Sequence, residues 1–119
     1  MHSHTSTRKQ RVADQIGREI ASLLITELND PRTQGLTVSG VDLSPDMRLA
    51  RIHVSTPGDR DSVEIIKVLQ HAGGYLRRCL GKRVRLKYLP RLEFQYDASL
   101  DRSDRIEQLL RDAARSEHH

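Results

Sequence analysis

From Val12 to Leu28 the chain places Val12, Ile16, Ile20, Leu23, Leu24 and Leu28 three, four or one residue apart, with polar and small residues between them. At 3.6 residues per turn these side chains share one stripe, which predicts an amphipathic helix over about residues 7–28 behind a polar start at Thr5, Ser6 and Thr7. Such a helix draws most of its stability from whatever covers the stripe. The rest of the chain must therefore supply a matching apolar face. With three tyrosines, one phenylalanine and no tryptophan among 119 residues, that face is aliphatic, and the length allows one domain with one small core.

The segment NDPRTQG ends the helix, because Pro31 biases Asp30 away from helical angles and Gly35 supplies a turn. Two strands are expected next, LTVSGVDL and MRLARIHVS, joined by a tight turn at SPD. In the first, Leu36 and Val38 have the opposite parity to Val41 and Leu43, so a bulge at Gly40 is expected to restore one apolar face. In the second, Ala50, Ile52 and Val54 alternate with Arg51, His53 and Ser55, the pattern of a strand covered on one side. A third strand is expected over residues 84–96. There Val84, Leu86, Tyr88, Leu92, Phe94 and Tyr96 alternate with mostly charged residues, and Pro90 marks an edge position or a bulge. The fold expected is α+β, a three-stranded sheet covered on one face by helices.

Between the second and third strands lies DSVEIIKVLQHAGGYLRRCLGKR. Its helical pattern, Val63, Ile66 and Leu69 and then Tyr75, Leu76, Cys79 and Leu80, runs through two adjacent glycines, Gly73 and Gly74. Two interior glycines cost about 1.5 to 2 kcal/mol relative to alanines, so a kink or turn is expected there, with a helix on either side. The same region holds the positive charge. From Ile65 to Leu92 there are eight basic residues and no acidic one, against a net charge of +4 for the whole chain. Such a concentration is the electrostatic footprint of a nucleic-acid partner. Arg8, Lys9 and Arg11 stand in the first turns of the first helix, where the helix dipole disfavours cations, which points to contact with the same partner.

LNDPRTQGLTVSGVDLSPDMRLARIHVS, the triplet Ala72-Gly73-Gly74 and LPRLEFQYD together resemble the ribosome-binding factor A family, over about Arg8 to Leu100. The resemblance implies a type II KH-like fold of order α-β-β-α-kink-α-β, in which an Ala-x-Gly kink stands where other KH domains carry a Gly-x-x-Gly loop. It also implies a noncatalytic ribosome assembly factor of bacterial type that binds the small ribosomal subunit and its rRNA during late maturation and rRNA processing. On this reading Ala72, Gly73 and Gly74 let a sugar-phosphate backbone approach. Arg77, Arg78, Lys82, Arg83, Arg85, Lys87 and Arg91, with Arg8, Lys9 and Arg11, neutralise phosphates around it. Residues 1–98 form the RNA-binding domain, and 99–119 form a tail, a short helix with Ile106, Leu109, Leu110 and Ala113 on one side and a frayed end.

Other chemistry finds little support. Gly81-Lys82 lacks the preceding glycine and the following Ser or Thr of a phosphate-binding loop. His2, His4, His118 and His119 sit at the ends, and His53 and His71 lack metal-ligand spacing, so no metal or cofactor is expected. Cys79 is the only cysteine, which excludes an intrachain disulfide and suits a reducing compartment. No nucleophile, base or paired-carboxylate arrangement stands out, and the chain does not read as an enzyme. With no apolar leader and no membrane-length run, it reads as soluble, cytoplasmic and monomeric when free. Two alternatives are a DNA-binding helix-turn-helix module with its turn at HAGGYLRR, and a protein-protein adaptor that docks through the acidic tail.

Overall fold

The computed structural model describes residues 7–56, 58, 60–97 and Leu110. Helix α1 runs from Arg8 to Thr26. Thr7 caps it, its hydroxyl accepting from the Gln10 backbone N–H at 3.1 Å, which satisfies one of the donors a helix start leaves open. The expected stripe is the buried one: Ile16, Ile20, Leu23 and Leu24 are in the core, with Val12 and Leu28 packed against it. Pro31–Thr33 is a single 3-10 turn capped by Asp30. Arg32 folds back onto the Asp30 carboxylate at 2.7 Å and also reaches Glu64 near the start of the next helix. Hydrogen bonds from the Arg32 side chain and backbone hold the Asp30 carboxyl down at about 2.

Strands β1 (Thr37–Leu43) and β2 (Leu49–Ser55) pair antiparallel, and β3 (Arg91–Tyr96) adds to β2 in parallel, giving the order β1-β2-β3. In β1, Val38 faces Val54 while Gly40 faces His53, so Ser39 and Gly40 form the expected bulge, with Ser39 the extra residue. The Ser39 hydroxyl lies within hydrogen-bond distance of the His53 carbonyl (3.2 Å) and the Asp97 carboxylate (2.9 Å), partners that the hydrogen of glycine cannot provide. The slip restores one apolar face, with Val38, Val41 and Leu43 all packed in the core region. The turn between β1 and β2 closes with the Met47 N–H donating to the Ser44 carbonyl at 2.8 Å. The Ser44 hydroxyl and the Arg48 N–H both bond Asp46, and these bonds, the hydroxyl's above all, lower its pKa.

Two expectations are corrected here. Helix α2 is continuous from Ser62 to Arg83, through Gly73 and Gly74, so the elements run α-β-β-α-β and no turn separates two helices there. Leu69, Leu76 and Leu80 are each fully buried and in phase across the glycines. Burying a leucine side chain is worth about 1.5 to 3 kcal/mol, so together the three outweigh the glycine penalty. The second correction concerns β3, which begins at Arg91 rather than at residue 84. Val84 is the C-cap of α2, and the chain from Arg85 to Pro90 is irregular. The expected inward parity survives for Val84, Pro90, Leu92 and Phe94, whereas Tyr88 turns outward and is 48% exposed. Pro90 has no N–H for a ladder, and it sits fully buried just ahead of the strand. β3 is an edge strand, as Pro90 suggested. The tail expected over 99–119 lies outside the described residues apart from Leu110, which is exposed.

Candidate nucleic-acid interface

Continuity of α2 fixes which residues share a face. Lys67, His71, Gly74, Arg78 and Lys82 follow one another at spacings of four, three, four and four, and all five are exposed. One turn apart on a helix, such residues form a single stripe. Beyond Glu64 the helix contains no acidic residue, so the stripe is basic along its length. In its middle the surface is bare: a Cβ added at Gly73 would meet nothing within 4 Å, and one at Gly74 only the Arg78 guanidinium at 3.8 Å. Close packing against another part of the fold is therefore not what places glycine at these positions. Gly81 differs, because a Cβ added there would lie 3.0 Å from the Leu89 side chain, which would have to give way. Ala72 is half-buried, with its methyl turned to the core region.

The arginines flanking this stripe serve the fold. Arg77 donates from Nε to the Pro90 carbonyl at 3.1 Å and from Nη2 to the Leu89 carbonyl at 2.8 Å, fastening the irregular segment beside α2. Arg83 turns to α1, donating to the Ser22 hydroxyl at 3.1 Å and lying 3.7 Å from the Glu19 carboxylate. On the α1 side of the stripe, Tyr75 bonds Glu27, and the Cys79 thiol lies 3.9 Å from the same carboxylate. The bond to Glu27 and the neighbouring Cys79 push the Tyr75 hydroxyl up to about 12. Cys79 is half-buried against the core region, a packing role consistent with its neighbours Leu76 and Leu80.

A second basic group lies at the other end of α1. Arg8, Arg85 and Lys87 line one cleft of about 290 Å³. Lys9 and Arg11 are exposed in the first turn of α1, and Arg91 is exposed at the start of β3, where its N–H donates to the Arg48 carbonyl at 2.8 Å. The cationic residues named from sequence thus fall into an α2 stripe (Arg78, Lys82), a cleft group (Arg8, Arg85, Lys87), peripheral Lys9, Arg11 and Arg91, and two with structural bonds (Arg77, Arg83). Lys67 joins the stripe, although only an unbroken helix reveals its phase. Arg48 gives no sequence signal at all, yet its guanidinium lies 4.8 Å from the Tyr88 ring centre.

A helix-turn-helix reading fails on the same observation, because the turn it requires is helix. Among the described residues no group of three His, Cys, Asp or Glu could hold a metal ion, and no helix is long and apolar enough to cross a membrane.

Residues 8–110 match the profile of the family described as Ribosome-binding factor A, ten residues past the limit the quoted motifs suggest. Ribosome-binding factor A of Alkalilimnicola ehrlichii is 44% identical over 108 residues, covering 89% of this chain and 83% of the relative. Among solved structures, the crystal structure of ribosome-binding factor A from Thermus thermophilus superposes with a TM-score of 0.69 at 34% identity. The match covers 76% of this chain and 97% of that one. A homology model of the T. thermophilus protein, fitted into an electron cryo-microscopy map of a 30S complex with ribosome-binding factor A, gives a TM-score of 0.62 at 32% identity, covering 72% and 91%. With a family profile spanning nearly all of it and this fold beneath the match, the chain belongs to the ribosome-binding factor A family.

Proposed function

We propose that the chain is a noncatalytic ribosome assembly factor that binds the small ribosomal subunit through its rRNA during late maturation and rRNA processing. The observation that carries this reading is the bare glycine surface within the basic stripe of α2. Two helix-destabilising residues sit where nothing in the fold requires them, flanked by cations on a helix that carries no acid beyond Glu64 in its first turn. A sugar-phosphate backbone laid along the stripe uses both features: the glycines permit close approach, and Lys67, Arg78 and Lys82 neutralise phosphates. Such contacts supply affinity and orientation, while selectivity comes from RNA shape and unpaired bases. Support also comes from the family and from the T. thermophilus relative fitted into a 30S complex. Residues 1–98 carry this binding and 99–119 form an appended tail. The protein acts in the cytoplasm as a monomer until it meets the subunit, and it needs no cofactor.

Copurification with small ribosomal subunits, measured before and after nuclease treatment, tests the reading. Association lost after nuclease supports an RNA contact. Association that survives complete rRNA digestion, or no association with subunits at all, contradicts it.

A further inference from the structure

The cleft between the start of α1, the β1–β2 turn and the segment after α2 has a composition that phosphate binding alone does not explain. Its apolar lining includes Val12, Leu43, Met47 and Leu86, and its charged lining is three cations, Arg8, Arg85 and Lys87, against one carboxylate, Asp46, which the Ser44 hydroxyl and the Arg48 N–H already bond. Tyr88 stands at the mouth with 48% of its surface exposed, and the Arg48 guanidinium and the Lys87 ammonium lie 4.8 and 5.6 Å from its ring centre. An exposed tyrosine beside two cations is both a stacking surface and an anion receptor. Gln15 also lines the cleft. It is half-buried, and its amide makes no hydrogen bond with another described residue, leaving a donor and an acceptor for the edge of a base. A volume of about 290 Å³ lies at the low end of small-ligand pockets, a size suited to one base.

We infer that this cleft receives one unpaired nucleotide of the bound RNA. The base stacks on Tyr88 against the apolar lining, and the adjoining phosphates meet Arg8, Arg85 and Lys87. The inference rests on the RNA-binding reading above and adds a second contact, at the opposite end of α1 from the Glu27–Tyr75 bond. It assigns selectivity for an unpaired base to a site that the basic stripe of α2 cannot provide.

The test uses the full chain and a single-stranded RNA of about twelve nucleotides with a central 2-aminopurine, a length within the usual single-strand site sizes. Wild-type protein should quench the 2-aminopurine emission. Tyr88→Ala should abolish the quenching and weaken binding about tenfold with an unchanged salt slope, as expected when stacking and not charge is lost. Tyr88→Phe keeps the ring and should stay within about twofold of wild type, which separates stacking from any loss of fold in the alanine variant. Lys82→Gln, on the α2 stripe, should weaken binding yet leave the quenching at saturation intact. If Lys82→Gln weakens binding while Tyr88→Ala changes neither affinity nor emission, the cleft holds no base and only this inference falls. If the wild-type protein binds neither this RNA nor small ribosomal subunits, the proposed function falls with it.

Discussion

The Tyr75 hydroxyl donates a 2.5 Å hydrogen bond to the Glu27 carboxylate, joining the C-cap residue of α1 to the residue that follows Gly74 in α2. The bond favours the neutral phenol, which is why Tyr75 is raised to about 12. A group whose folded pKa is raised contributes its stability in full below the unfolded value near 10 and loses it as pH climbs toward 12. Absorbance titration should therefore show a late tyrosine step, near 12, from Tyr75. In Glu27→Gln that late step should move back toward 10, and a late step that stays in place would show that another partner holds the phenol.

Asp30 provides the opposite case. Its folded pKa is depressed to about 2 by the hydrogen bonds from Arg32, so its contribution is present above the unfolded value near 4 and lost as pH falls from 4 to 2. Melting temperatures measured across that window should fall less steeply for Asp30→Asn than for wild type. Parallel curves would mean that the Asp30–Arg32 pair contributes nothing to acid stability.

The core is tested at Leu80, fully buried on α2, with Ile25 on α1, 80% exposed, as its control. Leu80→Ala should lower unfolding free energy by about 2 to 5 kcal/mol out of a total of roughly 5 to 15. Ile25→Ala should change it by less than about 0.5 kcal/mol. Chemical denaturation of both variants measures the difference.

Much of this architecture is legible in the sequence, because it follows from side-chain period. The stripe of α1, the alternation in β2 and the parity slip in β1 each leave one arrangement that keeps aliphatic residues from water. The helix break at Gly73 and Gly74 is misread because a local penalty is weighed without the tertiary term: Leu69, Leu76 and Leu80 stay in register only if the helix continues. The strand from residue 84 is misread because alternation persists through an irregular segment. Its backbone is held by side-chain bonds from Arg77, which no pattern in the chain announces. For the candidate site, charge concentration points to the segment from Ile65 to Leu92, but it cannot separate Arg78 and Lys82, on the open stripe, from Arg77 and Arg83, which bond to the fold. Arg48 meets Tyr88 across 40 residues of sequence, a pairing that only the tertiary structure provides.

That separation has a measurable consequence. Arg77→Gln should lower the melting temperature, since the Leu89 and Pro90 carbonyls lose their donor. Lys82→Gln should leave melting unchanged and instead reduce the slope of log affinity against log salt by about 0.7 to 0.9, the change expected for one phosphate contact. Equal effects of the two variants on melting and on slope would contradict the division of roles.

The central claim is that half-buried Gly73 and exposed Gly74 of α2 lie against RNA, and the most direct measurement is the affinity of Gly73→Gln and Gly74→Gln for small ribosomal subunits across a salt series, with melting followed alongside. Glutamine is a good helix former, and the space at both positions is open or bounded only by a flexible side chain. Each variant should therefore be stabilised, by about 0.5 to 1 kcal/mol. If the backbone of the rRNA approaches here, both should nonetheless bind more weakly at every salt concentration, with the slope unchanged because no charge is removed. Variants that are more stable and bind as tightly as wild type would contradict the account.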